Sequence, residues 1–373
     1  MNFKISKKVF YSSLQTVSRA ISSNSPIPSL TGIKIDVLED SIVLTGSDSD
    51  ISIQKTLTAD DEDINLVISE TGSIVIEAKY ILEIVRKIDA DEIDLRIVDG
   101  SLTKISGNNA KFEINGVRAM DYPTLDFTKP SQQFELDADV LVKIVNQTAF
   151  ATSDKETRPV LTGVNFKANG GKLECTATDS YRLAKKVIDL DTDSSFNITI
   201  PAKSLNELSK IIEKDSKVQI CVSDKKAQFW VDQVLIQTRL IDGFYPETQR
   251  LIPVTFENEL VVDSRDLLNA IDRASFIKND GVSIIRLSAH PERVVISTRS
   301  QEVGSSTEEI LPESFEGNGI NISFSGRYVY EAIRVLNAST IKISFSGEMK
   351  PFIITNVDDS SILQLVLPVR TYN

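Results

Sequence analysis

Three pairs of basic residues stand at one spacing in this chain: Lys79 and Arg86, Lys203 and Lys210, Arg327 and Arg334. Within each pair the separation is seven residues, close to two turns of a helix, so both charges share one helical face. From pair to pair the step is 124 residues both times. A chain of 373 residues built on such a step folds as repeated units, each offering positive charge in the same place.

The surrounding sequence follows the same repeat. Segments beginning at Phe3 (FKISKKVFYSSLQTVSRAI), Phe134 (FELDADVLVKIVNQTAFAT) and Leu260 (LVVDSRDLLNAIDRASFI) each open with a short strand-like alternation. Each then passes a polar residue suited to a helix N-cap (Ser6, Asp137, Asp263) into a helical pattern. In the first copy Phe10, Leu14, Val17 and Ile21 form the buried stripe. Leu30-Thr31-Gly32 returns as Leu161-Thr162-Gly163, and Asp48-Ser49 as Asp179-Ser180, both displaced by 131 residues. Val164, Phe166 and Ala168 alternate up to Asn169-Gly170-Gly171, and Leu173, Cys175 and Ala177 alternate away from it, which predicts a hairpin.

A second helix in each copy follows a strand and carries the basic pair: IVIEAKYILEIVRKI from Ile74, ITIPAKSLNELSKII from Ile198 and INISFSGRYVYEAIRVL from Ile320. Ile81, Ile84, Val85 and Ile88 lie away from Lys79 and Arg86, so one face packs on a sheet and the other meets solvent. The periodicity lapses at Phe127–Ser131 and around Pro253, as linkers would. The pattern predicts an α+β chain of three similar tandem domains, 1–127, 130–253 and 256–373, each of ordinary domain size.

Groups for catalysis are scarce. The single histidine, His290 in SAHPER, reads as part of a turn, and with two distant cysteines it supplies no zinc ligand set. Neither GxxxxGK[ST] nor GxGxxG after a strand is present, which argues against nucleotide hydrolysis. Acidic clusters at 48–50, 60–63 and 358–359 read as solubilising loops. Cys175 and Cys221 sit in alternating apolar segments and are expected to be buried reduced thiols of a cytosolic protein. No cationic start followed by an apolar run, and no apolar stretch of about 18 residues, suggests export or membrane insertion. A binding protein without metal or cofactor is expected.

Charge then poses a conflict. Acidic residues outnumber basic ones 53 to 41, and a chain of net charge −12 is repelled by nucleic acid over most of its surface. Yet the segments 79–88, 203–214 and 326–337 sum to +2, +1 and +1, and the first helix adds Lys7, Lys8 and Arg19. Segregating the charge resolves this. Helices would line a concave or enclosed surface facing phosphate, while an acidic exterior faces away. Such contacts would be independent of base sequence, and retention would be topological. Two other readings compete: a three-repeat scaffold that docks proteins without enclosing DNA, and an acidic hydrolase using carboxylates and metal.

The threefold unit together with TATDSYRLA from Thr176, LIDGFYPETQRLIP from Leu240 and LVLPVRTYN from Leu365 resembles the bacterial DNA polymerase III β subunits, the replicative sliding clamps. The resemblance covers essentially the whole chain. It implies the DNA-clamp fold, with helices lining a central channel and antiparallel sheets outside. It implies a head-to-tail homodimer closed around double-stranded DNA that tethers the replicative polymerase catalytic subunit, a non-enzymatic processivity role. An ATP-driven clamp loader would open the ring.

The same resemblance implies a groove between the second and third domains for short apolar peptides of polymerases, the loader, and repair and translesion polymerases. Matched positions are Leu161, Thr178, Tyr181, Arg182, Leu183, Pro246, Arg250, Leu251, Tyr328, Met349, Leu365, Leu367, Val369 and Arg370, with Arg182, Arg250 and Arg370 expected at the rim. Lys203 matches a basic position in the central channel and Arg158 a loop near DNA, joining Lys79, Arg86, Lys210, Arg327 and Arg334. Phe112, and Phe276 with Ile277, match subunit-interface positions, the latter two expected to be exposed at a helix end. Two departures stand out. Asn24 occupies a place where some members have a DNA-contacting Arg, for which Arg19 could compensate, and Tyr181 one where His is frequent.

Overall fold

The structure, a computed structural model, describes residues 1–213, 215–278 and 281–370. The last three residues of the LVLPVRTYN motif, and Lys214 of the second stripe segment, lie outside the described residues. Among the described residues there are six α-helices: α1 (Lys7–Ser18), α2 (Ala78–Lys87), α3 (Ala138–Thr148), α4 (Ala202–Ile211), α5 (Ser264–Ala274) and α6 (Gly326–Arg334). Each follows directly on a strand, in the order strand–helix, strands, strand–helix, strands that the repeat predicts. None of these helices is long and apolar enough to cross a membrane.

Helix entry is the same in all three repeats. The first backbone N–H of α1, α3 and α5 donates to a distant carbonyl: Lys7 to Asp91 at 2.8 Å, Ala138 to Ser216 at 2.9 Å and Ser264 to Ser339 at 2.7 Å. Asp263 adds the expected side-chain cap, accepting from the Asp266 N–H at 2.9 Å. Ser6 does not: it makes no side-chain cap bond.

The chain packs as two compact units, Met1–Leu141 with Ser204–Leu240, and Val142–Lys203 with the chain from Ile241 onward. In the first unit a five-stranded antiparallel sheet runs in the order 67–70, 2–6, 92–99, 102–107, 110–115. A nine-stranded sheet runs 117–118, 72–77, 32–37, 41–47, 51–58, 234–239, 226–231, 217–222, 132–137. The second unit has a matching pair. Its nine-stranded sheet runs 196–201, 163–169, 172–178, 182–189, 362–366, 352–356, 340–345, 258–263, 314–316, and its four-stranded sheet runs 304–310, 293–300, 284–290, 320–325.

Backbone pairing therefore crosses the borders between repeats. Strand 234–239 pairs antiparallel with 51–58 (Ile236 opposite Ile53), and 362–366 with 182–189 (Leu365 opposite Leu183). The start of the 127–131 linker and the residue before it are strapped down as well. Lys226 donates to the Asp126 carbonyl at 2.8 Å, and Gln228 to the carbonyls of Phe127 and Thr128.

Helices bury one face on the sheets. α1 packs on α2, and α5 on α6. In α2 the buried positions are Ala78, Ile81, Ile84 and Val85, opposite exposed Lys79 and Arg86. In the third repeat Leu267, Ala270, Ile271 and Ala274 of α5 meet Val329, Ala332 and Ile333 of α6 over strand residues such as Leu260, Ile285, Phe324 and Ile343.

The predicted hairpin forms, with Asn169 opposite Lys172 and both Gly170 (φ 56°) and Gly171 (φ 69°) left-handed, as a tight two-residue turn requires. Gly163 has a different reason: a Cβ there would lie 2.6 Å from the Ile200 carbonyl oxygen of the neighbouring strand. Cys175 and Cys221 are buried free thiols, and His290 is exposed at a strand end in the 284–300 hairpin.

Candidate partner groove and nucleic-acid interface

The Asp-Ser turn that recurs 131 residues apart is preserved in backbone detail. Ser49 (φ 82°) and Ser180 (φ 78°) both take the left-handed conformation. Asp48 accepts from the N–H groups of Asp50 (3.1 Å) and Ile51 (2.9 Å), and Asp179 from those of Tyr181 (2.9 Å) and Arg182 (3.0 Å). The next position is an apolar core residue in the first repeat, Ile51, and an arginine in the second, Arg182; both are buried.

Arg182 is only 5% exposed, so it does not sit at a rim. A buried guanidinium needs partners for its fork of donors, and it has them. Nε donates to Asp179 at 3.0 Å, one terminal nitrogen to Glu331, and the other to the Phe150 carbonyl at 2.7 Å. Its planar face lies 4.6 Å from the Tyr328 ring centroid and 5.1 Å from that of Phe150. Tyr328 in turn stacks on Tyr181, centroids 6.5 Å apart and planes 25° from parallel. Burial raises the Tyr328 pKa, with Asp179 adding to it.

Around this strut lies an apolar cluster. Leu183 and Leu365, opposite each other in the seam, cluster with Ile353, and Ile252, Phe256 and Leu363 pack against them. Leu161, Thr178, Leu183 and Leu365 are buried; Tyr328, Leu367 and Val369 are half-buried; Tyr181, Pro246, Arg250, Leu251, Met349 and Arg370 reach solvent. The chain after 366 is laid down by backbone bonds, Leu367 N–H to the Tyr181 carbonyl (2.9 Å) and Val369 N–H to the Ser323 carbonyl (2.7 Å). Thr178 donates its hydroxyl to the Arg182 carbonyl at 2.6 Å, and its N–H donates to the Tyr245 hydroxyl at 3.0 Å. Burial holds that phenol well above its usual pKa. The bonds and ring contacts just described do not extend to Leu161, Pro246, Arg250, Leu251, Met349 or Arg370.

The six stripe residues and Arg158 are all exposed. The sequence reading overlooked that each stripe also holds a carboxylate in phase: Glu83, Glu207 and Glu331, again 124 residues apart. Glu83 accepts from Arg86 at 2.8 Å, Glu207 from Lys210 at 2.7 Å and Arg19 at 3.2 Å, and Glu331 from Arg327 at 3.0 Å. Partial burial would raise the pKa of Glu331, but the bonds from Arg182 and Arg327 outweigh it and the net shift is downward. Glu207 behaves alike through Lys210 and Arg19. Arg19 is thus engaged by Glu207, and exposed Asn24 carries no charge. Lys7 is turned to the Ile88 carbonyl just past the end of α2.

Of the expected interface residues, Phe276 is 83% exposed just past α5, and Phe112 is half-buried on strand 110–115. Ile277 departs from the expectation: it is buried at 8%. The turn after α5, where its N–H bonds the Ala274 carbonyl at 3.2 Å, directs it inward while Phe276 points out. Among the described residues no group of three or more His, Cys, Asp or Glu is placed to hold a metal ion.

The architecture is a three-domain clamp. Models of the N-terminal, central and C-terminal domains of the DNA polymerase III β subunit match residues 1–126, 135–247 and 249–370. The beta sliding clamp of Bacillus subtilis is 42% identical over 378 aligned positions, covering all of both chains, and that of Staphylococcus epidermidis 38% with the same coverage. The crystal structure of the B. subtilis DNA polymerase sliding clamp superposes with a TM-score of 0.97 over 100% of each chain. A Bartonella birtlesii sliding clamp bound to griselimycin, 27% identical, gives 0.93 over 100% of each chain. The chain belongs to the DNA polymerase III β subunit family, the β sliding clamps, processivity factors without catalytic activity of their own.

Proposed function

We propose that two copies of this chain close head to tail into a ring around duplex DNA in the cytoplasm, each contributing three clamp domains, 1–127, 130–253 and 256–373. The observation that carries this is the phase-locked cationic stripe of α2, α4 and α6, exposed in every repeat of a chain whose net charge is −12. Lys79, Arg86, Arg158, Lys203, Lys210, Arg327 and Arg334 face phosphate, reading charge and not base sequence. The acidic remainder disfavours adhesion elsewhere, which suits a protein that must slide. Changing the six stripe residues to Ser abolishes loading or sliding on this reading, whereas a scaffold that only docks proteins would lose nothing.

Subunit closure is supported by two open sheet edges. Strand 110–115 is outermost in the five-stranded sheet and 304–310 in the four-stranded one. Edges left bare invite pairing, and joining one to the other between subunits would extend both sheets. Phe112 lies on the first edge. Phe276 follows α5, whose Arg273 grips Glu308 on the second edge.

The seam cluster and the tyrosine pair form the floor and wall of a groove for short apolar peptides, with Arg250 and Arg370 at its border. Such peptides would come from the replicative polymerase, the ATP-driven loader and repair polymerases, and griselimycin, which occupies the Bartonella relative, is its practical probe.

A further inference from the structure

One carboxylate in the second unit serves two arginines with different neighbours. Glu331 Oε1 accepts from Nε of Arg327, whose side chain is 66% exposed on the stripe face of α6. Glu331 Oε2 accepts from the buried Arg182, which holds the rings of Tyr328 and Phe150. Arg327, Tyr328 and Glu331 stand at positions i, i+1 and i+4 of one helix, so the stripe and the tyrosine wall share a backbone as well as an ion pair.

The corresponding acids are wired differently. Among the described residues Glu83 accepts only from the cations of its own helix, Arg86 and Lys87, and Glu207 from Lys210 and from Arg19 on α1. Only the third of the three phased carboxylates reaches a buried arginine, and that arginine stands where the first repeat has Ile51.

We infer that Glu331 is a positioning residue that couples occupancy of the stripe to affinity of the groove. This rests on the reading above that Arg327 meets DNA and that the Tyr181–Tyr328 wall meets ligand. A phosphate beside Arg327 competes with Glu331 for its guanidinium. The carboxylate is then left to Arg182 alone, and a carboxylate matched to one guanidinium fork holds it more firmly than one divided between two. Arg182 fixes Tyr328, and Tyr328 fixes Tyr181, so the wall is set before the ligand arrives and less ordering is required on binding. Because coupling free energies are reciprocal, a ligand in the groove strengthens the hold on DNA by the same factor.

The test is griselimycin titration of the full chain, with and without a short DNA duplex at low ionic strength. Wild type should bind griselimycin about fivefold more tightly with duplex present, the low end of usual couplings, and should bind duplex tighter by the same factor with griselimycin present. Glu331→Gln, which keeps an acceptor of the same shape but no charge, should lose the shift. Arg327→Gln, an exposed change, should lose it too. Arg334→Gln lies on the same helix but outside the shared carboxylate, so it should weaken duplex binding while keeping the shift. No shift in wild type, a shift in the opposite sense, or an equal shift in Glu331→Gln would overturn the coupling while both ligands still bind. Failure of wild type to bind griselimycin or duplex at all would instead overturn the underlying reading, and the coupling with it.

Discussion

Ile51 and Arg182 occupy one position in successive repeats, each immediately after an Asp-Ser turn of the same backbone shape, and both are buried. One position of the repeat is thus an apolar core site in the first copy and a charged one in the second. Buried ion pairs are poor sources of stability, so the arginine is better explained by what it holds than by what it adds.

Arg182→Ala leaves Asp179 and Glu331 without their shared cation. Unfolding measured by denaturant should show a loss of about 3 kcal/mol, typical of breaking one side of a buried pair. Adding Glu331→Gln should restore part of that loss, because the stranded charge goes with it. Equal destabilisation in single and double variants would show that the two residues do not act together.

Acid should expose the same pair. The Glu331 pKa is lowered in the fold, so its ionised form stabilises above the ordinary value of 4.5, and the contribution fades as pH falls below it. The melting temperature of wild type should exceed that of Glu331→Gln at neutral pH, and the gap should close below about pH 4.5. A gap unchanged down to pH 3, on the order of a unit further, would remove the ionic contribution from the account.

Tyr245→Phe deletes the acceptor of the Thr178 N–H and leaves that donor unsatisfied beside the proposed groove floor. A cost of about 1–3 kcal/mol is expected in unfolding experiments. Leu183→Ala, in the apolar cluster itself, should cost about 2–5 kcal/mol and weaken griselimycin binding.

Phe276→Ala alone is the clean probe of the proposed subunit interface, because Ile277 is buried within its own subunit and its removal would damage the fold. Sedimentation over a concentration series should show dimer dissociation strengthened roughly a thousandfold, because a two-subunit ring has two such interfaces and each loses an anchor worth about 2 kcal/mol. An unchanged dissociation constant would place the interface elsewhere.

Much of this architecture is legible in the sequence because repetition doubles every signal. The 131-residue echo of Leu-Thr-Gly marks the passage from a 3-10 helix into a strand and that of Asp-Ser a turn, and helix phase places Lys79 and Arg86 opposite Ile81 and Val85. What escapes is set by contacts distant in sequence. Arg182 reads as a surface residue because its partners Phe150 and Glu331 lie far along the chain, and Ile277 reads as exposed because the turn after α5 is invisible to periodicity. Ser6 reads as a cap, yet its side chain makes no cap bond. The phased glutamates were there to be read, but attention to basic residues alone passes over them.

The central claim is enclosure of DNA, and topology tests it most directly. The protein is loaded onto a closed circular plasmid by its ATP-driven loader, and the plasmid is then cut once. Persistence on circles with rapid loss from linear ends is the predicted result. Equal retention on circular and linear DNA would mean ordinary surface binding and would contradict the ring.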